Sequence, residues 1–414
     1  SVTLRTKFTE YTGTYVIHCH RLNHEDQGLM AIVNVIPAVS SYAVAVPGGP
    51  GKPATVQLYD GNGDKLLKTV TPFPGFDGTP SVSMADVNGD QVLDLVAGTG
   101  EGANAEVVAY SGAADAGGAP FETELTRFAP FGSDFQGGVN VAAADIDGNG
   151  LASNIVVGSG PGIGSQVKVY DSKLPTTSGT APDVFSSFTP FDDSKAGVNV
   201  ATGMVDASSG RPSIVTASGA GATSEVKVYR FDLYEPAAAT STAASTTGTT
   251  DPHAGHSREA AVTADFYPFG QSYQGGVSLA TGWVAGAEGG AKSIITSMQA
   301  GPGTVKVFSS GSALDGQPLM YVESPNHHGA KITFLETASF DPFGSAGAGV
   351  RAATTSTLYG ADVLVSGPSA DATSTEVRKY QLNRSDPTAT TLTPQLLNTV
   401  VALPGSSSAP LGGE

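Results

Sequence analysis

The sequence predicts an all-β fold, a β-propeller of about six blades preceded by the last strands of another β domain. Three observations predict it. The 414 residues include 53 Gly and 26 Pro, with 14% charged and 40% hydrophobic residues, a mix that suits many short strands joined by turns. A strand-like segment ending in an aromatic recurs six times. Besides Pro120-Phe121, a Pro-Phe pair that ends a repeat unit recurs five times, each followed by an alternating strand. The apolar content and the periodicity exclude a mostly disordered chain.

Charge narrows the partners. A net charge of −17 argues against nucleic acid and anionic membrane surfaces, and suits secreted proteins and calcium binders. No apolar run approaches the length of a membrane span. The sequence opens at Ser1 in strand-like residues, with no Met and no secretory signal. The expectation is a fragment, or a chain cut from a longer precursor, that works in a secreted or periplasmic setting. One cysteine permits no internal disulfide and assigns no compartment.

The first segment, residues 1–37, differs from the rest. In "TYVIHCH" the β-formers Thr14 to Val16 predict a strand. Alternation along it puts His18 and His20 on one face and Cys19 on the other. His24 follows a short loop and can turn back toward the Cys19 face. A thiolate with imidazoles is the donor set of a blue-copper site, where a weak axial ligand tunes the potential. Zinc is a poorer alternative, because His18 and Cys19 cannot face one metal from a regular strand. Unrelated residues on a strand and loop are the bland alternative. Against it, three of the seven histidines and the only cysteine fall within seven positions.

This spacing resembles the last copper-binding segment of multicopper oxidases, the laccase-like family. The resemblance implies that Cys19 and His24 bind a type 1 copper. It implies that His18 and His20 serve the type 3 pair of a trinuclear cluster. Leu29 falls at the axial position, where it cannot coordinate; Met30 lies one residue late and could serve after a register shift. "GLMAIVNVIP" then reads as the closing strand of a cupredoxin barrel. The implied activity is oxidation of a small substrate, such as a phenol, pigment or metal ion, coupled to reduction of oxygen to water. The departure from the family is large, since the further His-x-His pairs it needs are absent. The implied partners are therefore missing N-terminal cupredoxin domains. Of the remaining histidines, His253 and His256 sit in a low-complexity insertion at about 236–262, and His327 and His328 in "SPNHHGAK". Both places read as surface loops.

Residues 38–414 hold the repeats. "VQLYD", "VVAYS", "VKVYD", "VKVYR", "VKVFS" and "VRKYQ" end on Tyr59, Tyr110, Tyr170, Tyr229, Phe308 and Tyr380, each after a turn of small residues. The Pro-Phe pairs end at Phe73, Phe131, Phe191, Phe269 and Phe343. One unit holds about four short strands and recurs every roughly 50 to 80 residues, so neighbours must stack to bury their faces. Five units are complete and the first lacks a strand, with residues 1–37 one candidate to supply it.

"DVNGDQVLD" is the most specific repeat segment. Asp86, Asn88, Asp90 and Asp94 stand at positions 1, 3, 5 and 9, with the Val92 carbonyl at 7, a hard-oxygen pattern that suits calcium. It resembles the FG-GAP repeat of integrin-like propellers, whose loops bind calcium. The second copy keeps Asp145, Asp147 and Asn149, with Ser153 in place of the last carboxylate; the third retains only Asp206. The alternative is an Asx-rich turn without metal. "YDGNGD" at Tyr59 to Asp64 reads as a plain hairpin turn. Two functions follow: the C-terminal part of a multicopper oxidase carrying a propeller, or a non-enzymatic calcium-binding propeller for adhesion or for binding protein or glycan.

Overall fold

The computed structural model describes residues 13–18, 30–35, 41–49, 51–60, 64–113, 119–150, 152–175, 180–192, 194–206, 211–231, 259–284, 291–310, 322–324, 327–344, 349–357, 360–368, 374–384, 391–404 and 411–412. The chain divides into two compact units, Ser1–Ser40 and Ser41–Glu414. Among the described residues no helix is long and apolar enough to cross a membrane.

Among the described residues of the first unit, Gly13–His18 pairs antiparallel with Met30–Val35. Both strands are rich in β-branched residues, as a pleated pair prefers. The register sets Gly13 opposite Val35 and His18 opposite Met30.

The second unit is a six-bladed β-propeller, each blade a four-stranded antiparallel sheet. Blade 2 runs Ser81–Ala85, Asp94–Gly98, Val107–Tyr110 and Glu124–Phe128 from the axis outward. Blade 3 repeats this with Val139–Ala144, Asn154–Ser159, Val167–Tyr170 and Val184–Phe188. Blades 4, 5 and 6 begin at Val198–Gly203, Val277–Gly282 and Arg351–Thr357. Blade 1 is assembled from both ends of the unit. Its Ser41–Val46 strand pairs with Leu411–Gly412, Leu411 opposite Val44. The strand missing from the first repeat therefore comes from the C-terminal end, not from residues 1–37. The reason is closure: a ring of sheets removes its open edge when the last residues join the first blade.

Burial follows the distance from the axis. The second strands Asp94–Gly98, Asn154–Ser159 and Ser213–Ser218 are buried at every position, because each is covered by a blade on both sides. The outer strands, such as Leu66–Val70, are mostly exposed. Six apolar clusters fill the ring, one at each blade junction; that between blades 3 and 4, for example, joins Ile146 and Phe185 to Ile214 and Phe231. Each fully buried Ile or Leu contributes about 1.5–3 kcal/mol. The core therefore lies between blades, and no blade has one of its own.

The two sequence repeats are junction devices. A β-bulge precedes each repeat aromatic, between Leu58/Tyr59, Ala109/Tyr110, Val169/Tyr170, Val228/Tyr229, Val307/Phe308 and Lys379/Tyr380. A bulge re-aims the side chain beside it. From blade 3 onward the aromatic meets a ring on the outer strand of the preceding blade. The pairs are Phe128–Tyr170, Phe188–Tyr229, Phe266–Phe308 and Phe340–Tyr380, with centroids 4.6, 4.4, 4.9 and 5.2 Å apart. The Pro-Phe pairs make a second device. Lys168 donates to the Pro130 carbonyl at 2.7 Å and sits over the Phe131 ring; Lys227 does the same at Pro190 and Phe191, and Arg378 at Pro342 and Phe343.

Two loop expectations change. Val322–Ser324 pairs with His327–Lys331, so His327 and His328 open a short strand, not a loop. The low-complexity stretch ends inside the outer strand of blade 4, which starts at Ala261. His253 and His256 lie outside the described residues.

Candidate metal centres and axial cavity

His18 ends the strand Gly13–His18. Cys19, His20, His24 and Leu29 lie outside the described residues, and Met30 opens the facing strand. The copper reading thus rests on donor chemistry. One thiolate and three imidazoles fall short of both family sites. A type 1 site takes two imidazoles beside the thiolate, and the motif leaves only His24 for it. The four donors of the motif do not complete either site by themselves.

The first acidic loop spends its oxygens on its own backbone. Asp86 accepts from the Gly89 and Gln91 N–H groups at 2.6 and 2.8 Å. Asn88 Oδ1 accepts from Asp90 N–H, and Asp90 Oδ1 from Val92 N–H, at 2.9 and 2.8 Å. Gly89 supports the turn at φ 83°, a region that suits glycine. Asp94 is fully buried and accepts from Val87 N–H at 2.8 Å and from Gly112 N–H at 2.9 Å. Desolvation pushes its pKa up to about 6, against the pull of those two hydrogen bonds. Among the described residues no three His, Cys, Asp or Glu side chains group as a metal-ligand set.

The second loop makes the same turn with one more residue. Asp145 accepts from Asn149 and Gly150 N–H, both at 3.1 Å. Asp147 accepts from Asn149 N–H at 3.1 Å, and its other oxygen from the Asn149 and Asn154 amides. The counterpart of Asp94 is Asn154, not Ser153: each faces the last residue of its blade's inner strand, Ala85 for Asp94 and Ala144 for Asn154. Asn154 Oδ1 accepts from Ile146 and Asp147 N–H at 2.8 and 3.0 Å, and its Nδ2 donates to the Tyr170 carbonyl at 3.0 Å. In the third loop, fully buried Asp206 forms an ion pair with Arg230. Asp64, from the hairpin "YDGNGD", staples blade 1 to blade 6: it accepts from Lys379 Nζ at 2.6 Å and from Asn398 Nδ2 at 3.1 Å.

A cavity of about 730 Å³ lies at the axis, walled by the inner strands. Its upper tier comes from the residue after each "Gly-Val" start: Asn140, Asn199, Ser278 and Arg351, with Ser81 as the counterpart in blade 2. The glycines ahead of them are required. Gly138 and Gly349 hold φ of 74° and 67°, and a Cβ on either would come within 2.4 and 2.1 Å of the neighbouring blade's backbone. Asn140 Nδ2 donates to the Val198 carbonyl at 2.8 Å and Asn199 Nδ2 to the Val277 carbonyl at 2.9 Å, each reaching the next blade. A lower tier of threonines reaches back. Thr202 donates to Ala143, Thr281 to Thr202 and Thr354 to Thr281, at 2.9, 2.6 and 2.7 Å.

Residues 1–39 match the multicopper oxidase family Cu-oxidase_2. No curated protein matches the chain. Among solved structures, the exotype rhamnogalacturonan lyase YesX is similar at 11% identity and TM-score 0.35, over 84% of this chain and 65% of the lyase. The chain thus spans less than two thirds of that enzyme. Rhamnogalacturonan lyase YesW is similar at 13% identity and TM-score 0.35, over 96% of this chain and 80% of that one. The Bacillus licheniformis rhamnogalacturonan lyase PL11 matches at 12% and 0.35, over 91% and 81%. These likenesses are too distant to bear on function.

Proposed function

We propose that this chain is the C-terminal part of a multicopper oxidase that carries a propeller as a binding module. The observation that carries the reading is the match of residues 1–39 to that family, across the segment holding His18, Cys19, His20 and His24. On this reading Cys19 and His24 contribute to a type 1 copper, with Leu29 at a non-coordinating axial position. His18 and His20 contribute to the trinuclear cluster. Cupredoxin segments outside this sequence complete both, and the whole works outside the cytoplasm. When bound, copper supplies one-electron oxidation of a reducing substrate and reduction of oxygen. Residues 1–37 and 38–414 are separate domains. Calcium at Asp86, Asn88, Asp90, Val92 and Asp94 belongs to the reading only if the ion displaces hydrogen bonds the loop already makes, and the weaker second loop likewise.

The test has two arms. This chain alone, supplied with copper, gives no intense blue thiolate-to-copper band and no catalytic oxygen uptake with a phenol. The same chain joined to the cupredoxin segments encoded before it gives both. Upstream coding sequence without His-x-His pairs overturns the proposal. It leaves the rival, a non-enzymatic binding propeller, which the axial cavity favours.

A further inference from the structure

Among the described residues, the upper tier of the axial cavity breaks its own symmetry at one point. Blades 2 to 5 place Ser81, Asn140, Asn199 and Ser278 there, all neutral. Blade 6 places Arg351. The asparagines spend one N–H each on the next blade's backbone and retain an acceptor oxygen and a second N–H for the cavity. Ser81 Oγ accepts from Val141 N–H at 3.0 Å. The place that an asparagine serves at other junctions is taken in blade 5 by Ser297, which donates to the Val350 carbonyl at 3.1 Å. Arg351, which would reach blade 1, makes no junction bond of this kind among the described residues. Its Nε is buried and has no hydrogen-bond partner among the described residues. Burial without a partner pulls its pKa below the ordinary arginine value, though a guanidinium stays charged. Among the described lining residues the one acid is Glu101, which is exposed.

A half-buried cation whose Nε donor is buried and unmet, facing a roomy cavity, is costly unless something completes it. We infer that the axial cavity is a binding site for a small hydroxylated organic monocarboxylate, held by Arg351 and the neutral polar tier. The carboxylate takes the guanidinium, whose flat fork matches two oxygens. Asn140, Asn199 and Ser278 meet hydroxyl groups. A single cation among the described lining residues, in a chain of net charge −17, favours one negative charge over a phosphate dianion. The volume of about 730 Å³ admits an organic molecule well beyond acetate in size. This site is independent of the copper reading.

The test is calorimetric titration of the full chain with gluconate, glucose, acetate and inorganic phosphate, against the variant Arg351→Asn. That variant installs the residue that blades 3 and 4 carry at this place, and so should keep the fold; its circular dichroism melt verifies this. The expected result is that gluconate binds, that acetate binds more weakly, and that glucose does not bind measurably. Gluconate affinity should fall by about tenfold or more in Arg351→Asn. Equal binding of gluconate to both proteins overturns the inference, as does phosphate binding more tightly than gluconate. Absence of any carboxylate binding to the wild-type chain overturns it too.

Discussion

Blade 2 enters its second strand on a buried carboxylate, Asp94, and blade 3 on a buried carboxamide, Asn154. Asp94 uses its two oxygens on one N–H within its loop and one beyond the third strand. Asn154 takes both loop N–H groups on one oxygen and sends its N–H groups to Asp147 and to the Tyr170 carbonyl. Both solutions satisfy buried backbone donors, which is the common need. Only the carboxylate brings a charge with it, and only it titrates. The two blades differ again at their clamps. Blade 3 holds Pro130 with Lys168 on its third strand. Blade 2 has Val108 at that place, and Arg127 on the adjoining outer strand, paired with Val108, reaches Pro72 and Phe73 instead. One junction geometry is thus reached from different strands, so the geometry, and not the residue's position, is what repeats.

The largest expected effect comes from deleting the locks. Asn154→Ala and Asp94→Ala should each cost about 3 kcal/mol, because each leaves buried N–H groups unmet. Urea unfolding measures this, and losses no greater than those of an exposed substitution would break the comparison. Titration comes next. Asp94 is held up to about 6 in the folded chain against 3.8 as its ordinary value. The folded state therefore binds more protons between those values, and stability falls as pH rises through that window, by roughly 1–2 kcal/mol after screening. Asp94→Asn should flatten that part of the pH–stability curve, and an unchanged slope would show that Asp94 is not its source.

The clamps are expected to matter less. Arg127→Met should cost about 1–2 kcal/mol, since Arg127 also bonds Glu106 and Glu124 at 2.7 and 2.8 Å. Lys168→Met should cost about 1 kcal/mol. Equal losses in urea melts would mean that the carboxylate partners of Arg127 add nothing. Calcium has the smallest expected effect. Because the first loop already satisfies its oxygens, millimolar calcium should raise the melting temperature by no more than about 2 °C. A larger rise that Asp86→Asn abolishes would show the loop reopening around an ion, and would separate blade 2 from blade 3 more sharply than their locks do.

Much of the fold was legible because it is written in local patterns. Alternating Val and Ile with small-residue turns mark the strands, and a recurring Tyr or Phe marks the third strand of each blade. Six units followed from counting those aromatics, since a repeat that cannot bury its faces alone must stack. The His-Cys-His spacing was likewise readable as a family resemblance. Arg351 could have been found by aligning "GVN", "GVN", "GVS" and "GVR", which exposes the cation among neutral residues. Only the tertiary structure decided the rest. It took the missing strand of blade 1 from Leu411–Gly412, residues that carry no strand signal by themselves but close an open edge. It gave the part of Asp94 to Asn154, because a one-residue insertion shifts the counting while the strand pairing stays in place. It turned the acidic loops inward on their own N–H groups, a choice between backbone and cation that oxygen spacing alone leaves open. And it joined Asp64 to Lys379, far apart in the chain, because closing the ring brings the first and last blades side by side.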